Sequence, residues 1–259
     1  MLLSIPIYFL LCYASQAQEE ETYYATNFKP GLKWDNNIVY NIFATTDTEK
    51  FSNFVRDSIR TFTSKFKSPL NWIEEPNWDR LRQNRRYFIF NEHDVDIEDP
   101  CYLSTPSAIG PSVLFIGIND VCGTAENMAG ILETLGFGLT ILRADRDEHV
   151  KIIWENIGPI TAAMLNQTET YFMKSTNEAF SIYDVASVLH PSAYYEDAID
   201  PEKPIFEPRN PVNAVGLNLR NEERQPTKMT SASLMQFMGP KKVIKNILIF
   251  LPVMHHFIW

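Results

Sequence analysis

The sequence predicts an α+β fold. Three observations carry that prediction. Short apolar runs of strand length come first along the chain, and stretches with apolar residues at helical spacing follow. No internal repeat or low-complexity tract interrupts the 259 residues, which suit one large domain or two small ones. The composition is 45% hydrophobic and 21% charged, with Gly 10 and Pro 16, which excludes collagen-like, disordered and coiled-coil chains.

The start of the chain reads as a secretory signal peptide over residues 1–17. Met1 to Tyr13 is apolar except for Ser4 and carries no charged side chain. A small-x-small site follows at Ser15-Gln16-Ala17, and then polar Gln18-Glu19-Glu20-Glu21. Cleavage there removes Cys12, leaving Cys101 and Cys122 as an even pair in an oxidising compartment, where a disulfide is expected. It would close a loop of about 20 residues, for which chain entropy gives roughly 3 kcal/mol. Secretion also gives meaning to Asn166-Gln167-Thr168, a sequon that would place Asn166 at the surface as a glycosylation site.

Residues 18–33 are polar and irregular and read as a short leader. Ile38-Val39-Tyr40-Asn41-Ile42-Phe43 reads as a buried strand between turn-forming residues. From Thr48 to Phe66 the apolar residues Phe51, Phe54, Val55, Ile59, Phe62 and Phe66 fall at helical spacing, with Thr46-Asp47-Thr48 available as a cap. Leu70-Asn71-Trp72-Ile73, Tyr87-Phe88-Ile89-Phe90 and Ser112 to Ile118 read as further strands. Ala125 to Leu142 reads as the next helical stretch, followed by a charged block from Arg143 to His149 and an apolar run from Val150 to Trp154. Beyond Ser192 the chain is rich in Pro and acidic residues with little period.

Net charge is −9, from 23 basic and 32 acidic side chains, which argues against nucleic acid as a partner. The tail, residues 240–259, carries Lys241, Lys242 and Lys245 and then an apolar run from Ile247 to Met254. That run is too short to span a bilayer, which needs ~20 residues. A lipid-anchor signal would need a more polar spacer after Ser231-Ala232-Ser233. Membrane association is therefore not expected.

Residues 129–147 read Ala-Gly-Ile-Leu-Glu-Thr-Leu-Gly-Phe-Gly-Leu-Thr-Ile-Leu-Arg-Ala-Asp-Arg-Asp. This stretch resembles the signature of the astacin family of secreted zinc endopeptidases, H-E-x-x-H-x-x-G-F-x-H-E followed by R-x-D-R-D. The matching residues are Leu135, Gly136, Phe137, Arg143, Asp145, Arg146 and Asp147. Val150, Asn156 and Ile157 resemble the family's next strand, and Phe172-Met173-Lys174 its N-F-x-K stretch. Tyr183 to His190 resembles its Met-turn, Y-D-x-x-S-x-M-H-Y. Trp34, Ile38 and Tyr40 resemble the start of its catalytic domain, Cys101 and Cys122 one of its two disulfides, and Lys228 to Met238 its closing helix. The likeness covers a domain of residues 34–239. It implies a zincin-like, metzincin-type fold of two subdomains, with a mixed twisted sheet and an active-site helix.

The resemblance also shows what is missing. In that design two His at i and i+4 on one helix meet one zinc, and a Glu beside the first takes the proton of the metal-bound water. A Gly then turns the chain so that a third His closes the site. Here the first ligand position is Ala129, the general-base position Gly130, the second ligand position Glu133 and the third Leu139. The Tyr after the Met-turn is replaced by Pro191, and the Met itself by Leu189. Water without a metal keeps a pKa of about 15.7 rather than ~7. The Glu after the third His is Thr140, the leader shows no F-x-G-D switch, and Pro69 stands where the second disulfide would begin.

His93, His149, His190, His255 and His256 do not have the spacing of a rebuilt zinc site. Glu126 and Glu133 sit about two turns apart on one helix and could serve as paired carboxylates, but they read rather as a solvated helix face. Arg143, Asp145, Arg146 and Asp147 read as a structural ion-pair and turn cluster. The expected protein is thus a secreted, extracellular metallopeptidase homologue without catalysis and without a cofactor. It would bind a peptide or protein ligand in the former substrate cleft, which should persist because the landmarks on both sides survive. The alternative is an active zinc endopeptidase, marked by recovery of H-E-x-x-H on resequencing residues 125–140.

Overall fold

The computed structural model describes residues 24–25, 28–29, 31–93, 101–117, 123–166, 174–175, 182–194, 197–219, 223–228, 231 and 234. The signal peptide, Cys122, most of the sequon, Phe172, Met173, most of the stretch from Lys228 to Met238 and the tail lie outside them.

A five-stranded sheet organises the first half. Its strands are β2 (Asn37–Phe43), β3 (Asn71–Glu74), β4 (Arg86–Glu92), β5 (Tyr102–Thr105) and β6 (Gly110–Ile116), in the spatial order β3-β2-β4-β6-β5. The first four in that order run parallel, while β5 at the edge is antiparallel to β6. Parallel neighbours need a crossover, and α1 (Thr48–Phe66) supplies the one between β2 and β3. Asp47 caps this helix by accepting from the Lys50 amide, so the cap expected at Thr46-Asp47-Thr48 falls on Asp47. Asp47→Ala is expected to cost about 1 kcal/mol, read as a lower midpoint in urea at unchanged slope.

One face of α1 buries Phe51, Val55, Ile59, Phe62 and Phe66 against one face of the sheet. Side chains alternate along a strand, so Tyr40, Trp72, Phe88 and Phe90 share that face. They pack mostly edge to face. Tyr40 and Phe90 have centroids 5.7 Å apart, Trp72 and Phe88 5.5 Å, and Phe62 and Trp72 6.2 Å. Aromatic pairs in such geometry add ~1 kcal/mol each to the burial itself. The opposite face is wetter, with Phe43 46%, Ile73 40% and Leu103 47% exposed.

Helix α3 (Thr124–Leu135) lies against β5 and β6. The helical stretch expected to reach Leu142 stops at Leu135 instead. Gly136 adopts φ 112°, its amide donates to the Glu133 carbonyl, and the Phe137 amide donates to that of Leu132. Only glycine takes that backbone freely, and it closes the helix. Leu32 also packs where a Gly136 side chain would begin, 2.6 Å from an ideal Cβ. Thr140–Leu142 resumes only as a single 3₁₀ turn.

The second half has its own core, built from Ile141, Leu142, Val150, Ile152, Leu165, Tyr183, Ile205, Phe206 and neighbours. Strand β7 (Val150–Ile152) pairs antiparallel with β9 (Phe206–Pro208). Short helices α4 (Arg146–His149), α5 (Pro159–Leu165) and α6 (Ala214–Leu217) surround the pair, with α2 (Trp78–Leu81) in the first half. A small antiparallel pair joins β1 (Tyr24–Ala25) to β8 (Lys174–Ser175). Two cores and a mixed sheet with helices match the expected α+β architecture of two subdomains.

Candidate functional site

Helix α3 carries the first three of the substituted positions, and the turn at Gly136 leads to the fourth. Ala129 is 5% exposed and belongs to the first core. Leu139 is half-buried and packs against the second. The site residues therefore straddle the seam between the two cores.

The space at Gly130 is filled. An ideal Cβ on Gly130 would stand 2.9 Å from Cγ of Tyr102 and 3.0 Å from Cδ1 of Leu114. The ring of Tyr102, on the edge strand β5, lies where a longer residue on α3 would have to go. Its hydroxyl donates to Oε1 of Glu133 at 2.6 Å. One turn along, the Thr134 hydroxyl donates to the Gly130 carbonyl at 2.8 Å and stands 3.0 Å from Oγ of Ser104. Two polar contacts thus stitch β5 to α3. At Gly130 itself, the space that a longer side chain would enter is taken by Tyr102 and Leu114.

The residues present do not fit zinc. The three ligand positions offer a methyl group at Ala129, an isobutyl group at Leu139 and one carboxylate, Glu133, already accepting from Tyr102. Zinc needs several N, S or O donors converging at about 2.0–2.3 Å. Among the described residues no group of three His, Cys, Asp or Glu could hold a metal ion. Pro191 brings only a carbonyl, which accepts from Nδ1 of His190 at 2.7 Å and from Nη2 of Arg224 at 3.1 Å.

Beneath the seam the Met-turn counterpart is intact as a framework. The Thr140 amide donates to the carbonyl of Leu189, which is fully buried. His190 is 1% exposed. A carbonyl can only accept, so Nδ1 of His190 carries the proton toward Pro191, and Nε2 accepts from the Tyr183 hydroxyl at 3.1 Å. Burial, and next the positive charge of Arg224, push the His190 pKa down to about 3. Burial likewise raises the Tyr183 phenol well above its ordinary range. The Tyr183 ring stacks on His149 with centroids 4.5 Å apart.

The charged block works as scaffold, in line with the sequence reading. Arg143 grips both oxygens of Asp145 at 2.9 and 2.6 Å and gives a third bond to the Ile182 carbonyl at 3.2 Å. Arg146 donates to the Leu165 carbonyl at 2.6 Å and pairs with Asp147 at 3.3 Å. Sequence reasoning misses Arg224. It is 1% exposed and donates to the carbonyls of Val185, Ser187, Pro191 and Leu217. It lies in a stretch with no period, and its carbonyl partners leave no mark in side-chain patterning.

Cys101 is disulfide-bonded. Asn166 is exposed at the end of α5, its amide donating to the Ala162 carbonyl. Glu126, which the sequence places on a solvated helix face, has one carboxylate oxygen buried without a hydrogen-bond partner among the described residues.

No curated protein matches the chain by sequence. Among solved structures it resembles High choriolytic enzyme 1, a hatching enzyme zinc-protease from Oryzias latipes (Medaka fish), at 19% identity and a TM-score of 0.54. The match covers 78% of this chain and 90% of that one. The model of the Astacin peptidase family matches residues 27–217, which takes in α3, the Gly136 turn, the arginine block and the Met-turn counterpart. The chain therefore belongs to the astacin family of metallopeptidases.

Proposed function

We propose that the protein is a secreted astacin-family homologue that binds a peptide or protein segment beside α3 and does not cleave it. One observation carries the reading: the Tyr102 ring rests on Gly130, and its hydroxyl holds the one carboxylate left at the ligand positions. A general base on that residue would have to displace the ring. Without a metal or a base, attack by water on an amide lacks both of the groups that lower its barrier in this design.

Binding is supported by what is kept. Strand β5 remains the edge of the sheet beside the helix, with Leu103 47% exposed. An edge strand offers an extended peptide a template of main-chain hydrogen bonds. Secretion accords with the signal-peptide pattern at residues 1–17 and with the family. Among the described residues no helix is long and apolar enough to cross a membrane.

The test is direct. The full chain is dialysed against zinc, its metal content measured, and its action on casein and on quenched fluorescent peptides followed with and without a chelator. The expected result is substoichiometric zinc and no chelator-sensitive cleavage, with fluorescent extended peptides bound intact and binding weakened by Leu103→Lys. Stoichiometric zinc together with chelator-sensitive cleavage would overturn the reading.

A further inference from the structure

One half-buried cation differs from the buried arginines. Arg143 and Arg146 have carboxylates, Asp145 and Asp147, and Arg224 has four backbone carbonyls. Arg86 opens β4 and, among the described residues, has a single hydrogen-bond partner, the Leu32 carbonyl, to which Nη1 donates at 2.6 Å. Its guanidinium lies over the Trp34 ring, with Cζ 3.7 Å from the centroid, and Trp34 is 4% exposed. Its Nε and Nη2 are both buried and make no hydrogen bond among the described residues.

Those two nitrogens are not independent. In a planar guanidinium the Nε hydrogen and one Nη2 hydrogen point the same way, forming the side-on fork that matches the two oxygens of a carboxylate. Stacking on Trp34 and the bond to Leu32 fix the plane, so the fork is held in one orientation. Burial lowers the Arg86 pKa to about 10, and no carboxylate among the described residues offsets that desolvation. The group still carries its full charge at neutral pH. Two buried donors of a charged group left without partners are unfavourable, and an oxyanion in the fork would remove that penalty.

We propose that the Nε–Nη2 edge of Arg86 is a binding site for a carboxylate, with Trp34 as its stacking floor. The carboxylate comes either from a small free acid or from an acidic residue of a polypeptide. Occupancy tightens the grip of β4 on residues 32–34, which lie over the Gly136 turn through Leu32. The proposal does not depend on the absence of catalysis.

The experiment is thermal unfolding of the full chain, titrated with sodium acetate against sodium chloride at constant ionic strength. Acetate is expected to raise the midpoint in a saturable way, by roughly 5 °C at one hundred times its dissociation constant, while chloride does not. Arg86→Lys keeps the charge but loses the fork, so it should abolish the saturable part. A tetraglutamate amide at equal carboxylate concentration separates the sources. Saturation far below the acetate concentration marks a polypeptide acid, and saturation at the same concentration marks a small acid. Equal effects of acetate and chloride on the wild type overturn the proposal, as does an unchanged acetate response in Arg86→Lys. If the variant does not fold, the comparison of acetate with chloride on the wild type decides alone.

Discussion

Gly130→Glu, which restores the family's general base at its own position, is expected to destabilise the protein by about 3 kcal/mol or more rather than to prepare it for catalysis. The first added carbon would meet the ring root of Tyr102 at 2.9 Å, and a ring root cannot swing aside as a flexible chain end can. Overpacking of this kind costs ~1–3 kcal/mol, and a carboxylate forced into the same buried space adds a further ~1–3 kcal/mol. For a chain of this size the unfolding midpoint should fall by about 6–12 °C. Tyr102→Ala should relieve much of the clash. The double variant should therefore be more stable than the two single changes predict by about 1–3 kcal/mol, measured as a double-mutant cycle in urea. Additive effects would mean that the Tyr102 ring does not occupy the space of the base.

Acidification is the second large effect. His190 is held neutral in the native state with a pKa of about 3, whereas in the unfolded chain it titrates near 6.5. The unfolded state therefore takes up a proton that the native state refuses. The stability this group contributes is fully present above about pH 6.5 and is lost as pH falls from there toward 3. The loss should be about 2 kcal/mol by pH 5 and approach ~4 kcal/mol near pH 3. His190→Gln should lower stability at pH 7, because the Tyr183 and Pro191 contacts are remade poorly, but it should flatten the slope between pH 7 and 5. Urea unfolding of both proteins across that range is the measurement. Parallel slopes would show that His190 is not the group being protonated.

Much of the fold is legible in the sequence because periodicity reports burial. The apolar residues of Thr48 to Phe66 repeat along one face, and α1 covers that range. The runs at Ile38, Leu70, Tyr87 and Ser112 each fall on a strand, displaced by a residue or two. Strand β5 is not legible: Tyr102 to Thr105 is short and mostly polar, and its pairing is made across to β6 rather than along the chain. Hydrophobic spacing overstates the length of α3 because Phe137, Ile141 and Leu142 continue an apolar pattern. The stop comes from the positive φ of Gly136, a backbone property that such spacing does not encode.

The candidate site is legible as an absence. Ala129, Gly130, Glu133 and Leu139 stand where donors and a base would be needed, and a residue-by-residue reading shows it. What fills the vacancy is not legible, because Tyr102 reaches Glu133 from a strand 31 positions earlier. The same holds for Arg224, 37 and 39 positions from the Ser187 and Val185 carbonyls it binds.

The contacts of Tyr102 with Glu133 and of Ser104 with Thr134 anchor two side chains of the edge strand to a helix within the core. A strand tethered in this way has already given up much of its conformational freedom before any ligand arrives. A peptide laid along β5 would then bear mainly its own ordering entropy and not that of its receptor. The tethers between β5 and α3 thus make that edge a pre-organised surface.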